Sequence, residues 1–342
     1  MNIDHWISKK IGLARGEALT RVALSSYQLA RLRETVAYAK ANSAFYKETL
    51  AHVDPCADIR DLSDLARLPL MDASALIAEG ARMVCVPSSR VSRIVTLETG
   101  GSTGRPKRVY FTEDDQELMI DYIHHGLRVM AGAGDVFLIL MPCGRPGSVG
   151  MLVRIGLERM GVNVISFGIL PVDGSRDEEA LTLMRERGVT SMLATAGTAA
   201  RLAQKSAGNA AIKGRMRTAL LSADYVPDEA RALIESAWDC EVYEHYGMTE
   251  MGLGGAMACE TRIGYHPREA DLLFEITDPQ TGAVLPDGTF GEVVFTTLTR
   301  RAMPLVRYRT GDFSRWLPDP CPCGSILRRL DKVGSRKDAK SY

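Results

Sequence analysis

Apolar positions change their period twice along the chain. Between residues 17 and 50, Leu19, Val22, Leu29, Leu32, Val36 and Ala39 recur at helical spacing. Asn42-Ser43 interrupts that pattern, and Ala44-Phe45-Tyr46 opens a short second helix. Residues 58–90 carry turns begun by Asp58, Asp61, Asp64 and Asp72, with Pro69 and short helices between them. Residues 91–97 and 108–112 are apolar and β-branched, which predicts two strands. A helix over 113–131 follows, with Thr112 at its N-cap and His124 and His125 on it.

Strand and helix then alternate. Strands are predicted at 135–141, 162–167, 191–195, 218–222 and 241–243, and helices at 151–160, 177–187, 198–206 and 228–237. That alternation predicts a mostly parallel sheet with helices on both faces. Ligands of such sheets bind beyond the carboxyl ends of the strands, so the loops after Met141, Thr195, Ser222 and Tyr243 line one crevice. From about residue 255 the pattern becomes strand-rich, at 271–276, 292–297 and 305–308, with turns such as Pro286-Asp287-Gly288. The expected fold class is α/β: mostly parallel sheets flanked by helices, plus a smaller, barrel-like C-terminal subdomain. The expected boundaries are a helical region at 1–90, a nucleotide-binding core at 91–254, a strand-rich subdomain at 255–333 and a hinge remnant at 334–342.

Composition changes this picture little. The 342 residues are 46% hydrophobic and 25% charged, and 42 basic residues balance 42 acidic ones. A zero net charge leaves no footprint for nucleic acid or an anionic membrane. No apolar run reaches membrane-spanning length, and the N-terminus lacks the basic start and apolar core of a signal peptide. Seven scattered cysteines suit a reducing compartment, so the cytoplasm is the expected location.

The candidate chemistry begins in the loop between the first two strands, Thr99-Gly100-Gly101-Ser102-Thr103-Gly104-Arg105-Pro106-Lys107. Glycines let backbone N–H groups approach an anion, and the hydroxyls and the lysine add donors and charge. The loop fits a polyphosphate but is not a Walker A motif, because Pro106 precedes the lysine and Arg108 follows it. A second stretch, Tyr243-Glu244-His245-Tyr246-Gly247-Met248-Thr249-Glu250, follows a strand; its carboxylate beside a hydroxyl suits Mg²⁺. Tyr246 offers a flat face for a base. A third, Tyr308-Arg309-Thr310-Gly311-Asp312, places an acid after a strand and a tight glycine turn, where it suits the hydroxyls of a ribose.

In this order, Thr-Gly-Gly-Ser-Thr-Gly-x-Pro-Lys, Tyr-Gly-x-Thr-Glu, Tyr-Arg-Thr-Gly-Asp and Gly334-Ser335-Arg336-Lys337-Asp338 resemble the adenylate-forming superfamily of acyl-CoA synthetases and adenylation domains. Tyr27 to Arg33, Asn42 to Tyr46, Asp61 to Pro69 and Cys321-Pro-Cys-Gly324 resemble its phenylacetate–CoA ligase branch, and the likeness covers roughly residues 25 to 338. The resemblance implies that Thr99, Gly100, Gly101, Ser102, Thr103, Gly104 and Lys107 hold the β- and γ-phosphates of ATP. It implies that Ala223, Asp224, Tyr246 and Gly247 border the adenine, and that Thr249 and Glu250 face the α-phosphate and Mg²⁺. Asp312 is then the ribose ligand, and Arg336 reaches ribose or phosphate. The implied reaction is attack of a carboxylate on the α-phosphorus, giving acyl-AMP and pyrophosphate, with CoA as second substrate. Members of the superfamily continue past the hinge into a mobile domain bearing a further lysine, which is expected to be absent here or supplied by a partner chain. Two other readings follow from that: a nucleotide- or acyl-AMP-binding subunit without turnover, and loading of a carrier protein in place of CoA.

His124, Cys143, Gly144 and Tyr243 are expected at an acyl pocket. Cys321 and Cys323, with Cys259 and His266 upstream, offer a Cys₃His set suited to structural Zn²⁺, a pattern that the ligase branch resembles as well. Cys56, Cys85, Cys143 and Cys240 read as structural thiols.

Overall fold

The computed structural model describes residues 2–97 and 106–335. Its strands, in chain order, are β1 (Arg93–Leu97), β2 (Lys107–Phe111), β3 (Val136–Ile139), β4 (Asn163–Ser166), β5 (Ser191–Ala194), β6 (Thr218–Leu221), β7 (Glu241–Tyr246), β8 (Ala256–Met257), β9 (His266–Pro267), β10 (Leu272–Thr277), β11 (Gly291–Thr297), β12 (Tyr308–Ser314) and β13 (Gly334–Ser335). The chain forms two compact units. One holds Leu118–Met248 and Ala256–Tyr265; the other holds Ile3–Glu117, Thr249–Gly255 and the chain from His266 on.

In the first unit β4, β3, β5, β6 and β7 lie side by side and run parallel, and β8 pairs antiparallel with β7. β5 and β6 are buried at every position, as expected of strands covered on both faces. The helices Asp177–Arg187, Ala196–Lys205 and Asp228–Trp238 supply one apolar layer, with Leu181, Met184, Leu202, Ile234 and Trp238 against Met192, Ala194 and Ala219. Trp238 is fully buried and donates its indole N–H to Ser206 Oγ at 2.9 Å, so the ring adds apolar area without stranding its donor.

The helix Asn2–Lys10, in the second unit from Ile3 on, lies in the region 1–90 expected to be helical, ahead of the apolar period read from residue 17. The helix Arg21–Asn42 follows, capped by Thr20 Oγ1, and ends at Ser43, whose side chain caps the next helix, Ala44–Thr49. Leu32, Val36 and Ala39 on one face of the long helix pack with Tyr46, Leu50, Leu65, Leu298 and Val306. β1 and β2 form an antiparallel pair with Leu97 opposite Lys107, so the glycine stretch joins two paired strands. β10, β11, β12 and β13 form a four-stranded sheet, antiparallel throughout.

One expectation is corrected. The strand predicted at 305–308 begins at Tyr308 and runs to Ser314. Arg307 takes φ +49°, which breaks the extended backbone before it. The Tyr-Arg-Thr-Gly-Asp stretch therefore does not follow a strand; it is the strand. Gly311 at φ +78° lets it bulge, and the register with β11 slips between Val294 opposite Arg309 and Glu292 opposite Phe313.

Candidate active site

Thr99, Gly100, Gly101, Ser102, Thr103, Gly104 and Arg336 lie outside the described residues. What is described is the frame that holds the two ends of the glycine stretch. β2 leads into the helix Glu113–Gly126, and that junction is closed reciprocally: Asp115 N–H donates to Thr112 Oγ1 at 3.1 Å, and Thr112 N–H donates to Asp115 Oδ2 at 3.0 Å. The same carboxylate accepts from the N–H groups of Arg301 and Ala302 at 2.8 and 2.9 Å.

Three motifs that are far apart in sequence converge in this unit. The ammonium of Lys107, the last residue of the glycine stretch, is ion-paired with Glu250 Oε1. Tyr308, the first residue of the third motif, donates its O–H to that same oxygen at 3.1 Å. Glu250 is 1% exposed. Burial, with the Glu250 charge beside it, pushes the Tyr308 phenol well above its ordinary range, so it stays a donor. The backbone around Glu250 is held as firmly. Arg300 Nη1 donates to Glu250 O at 2.5 Å, and Arg268 donates to Met251 O. Arg300 is buried with its guanidinium 5.0 Å from the Phe111 ring centroid, and burial lowers its pKa to about 10, still cationic at neutral pH. Thr249 opens the short 3₁₀ turn that carries Glu250.

Asp312, half-buried on the bulge, donates its N–H to Thr310 Oγ1 at 3.0 Å. Glu292 braces this segment: it accepts from Arg309 Nε at 2.8 Å and from Gly311 N–H at 3.1 Å. Tyr308, Arg300 and Arg268 were not assigned roles from sequence. Tyr308 opens a recognised motif, which was a usable signal; nothing in the pattern around Arg300 or Arg268 marks them.

In the first unit Ala223 and Asp224 follow the carboxyl end of β6, Tyr246 is the last residue of the adjacent strand β7 and Gly247 follows it; Leu221 pairs with Glu244 between the two strands. Ser222 Oγ and His245 Nδ1, 3.1 Å apart, join the two strand ends. Ala223 holds φ +76°, a left-handed conformation that an alanine adopts at a cost. Cys143 and Gly144 follow β3 at the same edge. Cys143 Sγ contacts Met141 O at 3.0 Å, and burial raises its thiol pKa, so it is no ready nucleophile.

His124 and Tyr243 have their polar atoms engaged. Gly156 O can only accept and Arg128 can only donate, so His124 carries its proton on Nδ1, 3.2 Å from that carbonyl, and accepts at Nε2 from Arg128 at 3.0 Å. Tyr243 is buried, with its pKa pushed up to about 12, and donates to Glu241 Oε2 at 3.0 Å.

A cluster of soft donors stands in the second unit. His266, Cys321 and Cys323 bring ligand atoms within 4.8 Å of one another. His266 Nδ1 lies 3.2 Å from Arg328 O, which requires its proton there and leaves Nε2, 3.5 Å from Cys323 Sγ, with a free lone pair. Burial lowers its pKa to about 4, so the imidazole is neutral at neutral pH, as a metal ligand must be. Cys259 is buried in the first unit, with Sγ 3.1 Å from Thr261 Oγ1.

Comparison with known proteins decides the class. The AMP-binding enzyme family model matches residues 5–298. The chain belongs to that family. It is 33% identical over 327 residues to a phenylacetate-coenzyme A ligase of Pseudomonas putida, covering 92% of this chain and 71% of the relative. It is 31% identical over 330 residues to a phenylacetate-coenzyme A ligase of Thermus thermophilus, covering 94% and 72%. A crystal structure of 2-hydroxyisobutyryl-CoA ligase in complex with 2-HIB-AMP and CoA superposes with a TM-score of 0.83 at 22% identity, over 93% of this chain and 69% of that one; at that identity the match speaks for the fold. This family member is an acid-activating ligase that uses ATP to convert a carboxylic acid to acyl-AMP. None of the described helices is long and apolar enough to cross a membrane.

Proposed function

We propose that the chain activates an aromatic carboxylic acid of the phenylacetate kind and passes its acyl group to CoA in the cytoplasm. The observation that carries the site assignment is the meeting of Lys107, Glu250 and Tyr308, one residue from each of three nucleotide-type motifs. The relatives that are phenylacetate-coenzyme A ligases support the acid and the acceptor.

In this reading Thr99 to Gly104 and Lys107 cradle the β- and γ-phosphates, and Asp312 and Arg336 hold the ribose side. Ala223, Asp224, Tyr246 and Gly247 border the adenine; the strained backbone of Ala223 supports a close approach there. Cys143, Gly144, His124 and Tyr243 belong to the wall of the acyl pocket, and the last two serve by shape, since their polar atoms are spent. The acid's carboxylate oxygen forms a bond to the α-phosphorus as the bond to the bridging oxygen breaks, and pyrophosphate leaves with both electrons of that bond. No general base is needed, because the carboxylate is already ionised. The protein's work is positioning and charge neutralisation.

Glu250 fits Mg²⁺, being an anionic oxygen donor with one oxygen that receives no hydrogen bond from the described residues. Bound Mg²⁺ would neutralise phosphate charge. The soft donors His266, Cys321 and Cys323 fit Zn²⁺, and Cys259, separated from His266 by six residues, is the proposed fourth ligand with a structural role.

The test is ATP–pyrophosphate exchange with a panel of arylacetic, benzoic and short aliphatic acids, followed by thioester detection with CoA. Exchange highest with arylacetic acids is expected. Exchange restricted to aliphatic acids would overturn the substrate class. Exchange without thioester would favour a carrier-protein acceptor or a partner chain.

A further inference from the structure

We propose that Tyr308 is a positioning residue that presents Glu250 as a one-oxygen ligand to the divalent cation accompanying ATP. The inference rests on the role of Glu250 proposed above and adds to it the group that sets its geometry. The Tyr308 O–H donates to Oε1 of Glu250, and the Lys107 ammonium makes its closest approach to the same oxygen; no hydrogen bond to Oε2 is found among the described residues. A carboxylate held by one oxygen has its other oxygen oriented for a hard cation.

The two partners of Oε1 differ in permanence. Lys107 stands at the first position of β2, at the end of a stretch built to meet phosphates, so phosphates compete with Glu250 for its ammonium. Tyr308 has no such competitor. It is 1% exposed, its ring centroid is 5.5 Å from that of Phe295, and Phe295 is its direct partner across β11 and β12. Its backbone also bridges to Met71. When nucleotide draws Lys107 away, Tyr308 remains to orient the carboxylate, and Arg300 and Arg268 keep its backbone in place.

Tyr308→Phe removes the O–H and keeps the ring in its packing. Binding of Mn²⁺ to the protein with saturating ATP and no acid, read by the electron paramagnetic resonance of free Mn²⁺, should weaken by about tenfold or more, the usual consequence of losing a group that orients a metal ligand. The Mg²⁺ concentration giving half-maximal exchange should rise by the same factor, and the KM for the acid should hold. Unchanged cation binding in a folded variant overturns the proposal. Where Tyr308→Phe does not fold, Glu250→Asp carries the test: its shorter side chain loses the Tyr308 O–H, so the cation requirement should rise while the KM for the acid holds, and an unchanged requirement overturns the proposal. Absence of exchange in the unaltered protein with every acid tested would count against the proposed function instead, since Mn²⁺ binding is read without turnover.

Discussion

Each unit buries a carboxylate against cations, and the two are handled differently. Asp177, in the first unit, is fully buried at the start of its helix. Both its oxygens are spent: Oδ1 accepts from Arg201 Nη2 at 3.0 Å, and Oδ2 accepts from Arg201 Nε at 2.8 Å and meets Lys205 Nζ at 2.8 Å. Hydrogen bonds from Arg201, then Lys205, outweigh burial and hold its pKa below the usual carboxylate range. Glu250, in the second unit, is equally buried, but its described partners share one oxygen. A buried charge is costly unless paired, so a saturated carboxylate reads as structure and a half-used one as a site. Burial alone does not separate the two; the count of engaged oxygens does.

Substitutions sharpen that contrast. The largest effect is expected from Asp177→Asn, which leaves Arg201 and Lys205 facing a neutral amide. Unfolding free energy should fall by about 3 kcal/mol, measured by urea denaturation at neutral pH, with the KM for ATP unchanged. The sign of its pH dependence follows from the lowered pKa: the stabilisation is present above the unfolded carboxyl pKa and is lost as pH falls through the folded one, so the two proteins should converge in stability in strong acid. Lys107→Ala should reverse the pattern, lowering exchange about a hundredfold. An Asp177 variant that loses exchange in proportion, or a Lys107 variant that keeps it, would erase the distinction.

A smaller effect is expected at the soft-donor cluster. Protein prepared with zinc should carry one ion per chain, and Cys321→Ser should lose it and lower Tm by about 5 °C or more. A Cys259→Ser variant that keeps its zinc would remove that residue from the proposed set. The smallest is Ala223→Gly, where relief of the left-handed backbone should stabilise by about 1 kcal/mol while the KM for ATP rises if the methyl borders the adenine. A higher KM without added stability would point to altered loop geometry instead of relieved strain.

Much of this was legible in the sequence, where local chemistry decides structure. Asn42-Ser43 ends one helix and caps the next because Ser43 serves both, and the short apolar runs at 191–195 and 218–222 could only be strands in a buried sheet. Lys107, Glu250 and Asp312 were singled out because their motifs carry fixed spacings, and the structure brings Lys107 and Glu250 into contact. Legibility failed where distant contacts decide. The start of β12 is set by the left-handed backbone of Arg307 and the bulge at Gly311, neither of which an apolar pattern encodes. Arg300 braces the Glu250 backbone from 50 positions away in sequence, and an arginine in a polar run gives no sign of that. That both ring nitrogens of His124 are engaged, by Gly156 and Arg128, could not be read from the sequence either.

The measurement that tests the central claim most directly is acid-dependent ATP–pyrophosphate exchange in Glu250→Gln, with thermal stability read on the same sample. The amide keeps the size of the carboxylate and can still accept from Tyr308, but it has lost the charge that Lys107 and a divalent cation need. Exchange lower by about a hundredfold or more, with Tm close to that of the unaltered protein, is the predicted result. Undiminished exchange in a folded Glu250→Gln protein would contradict the assignment of this carboxylate, and with it the site built around it.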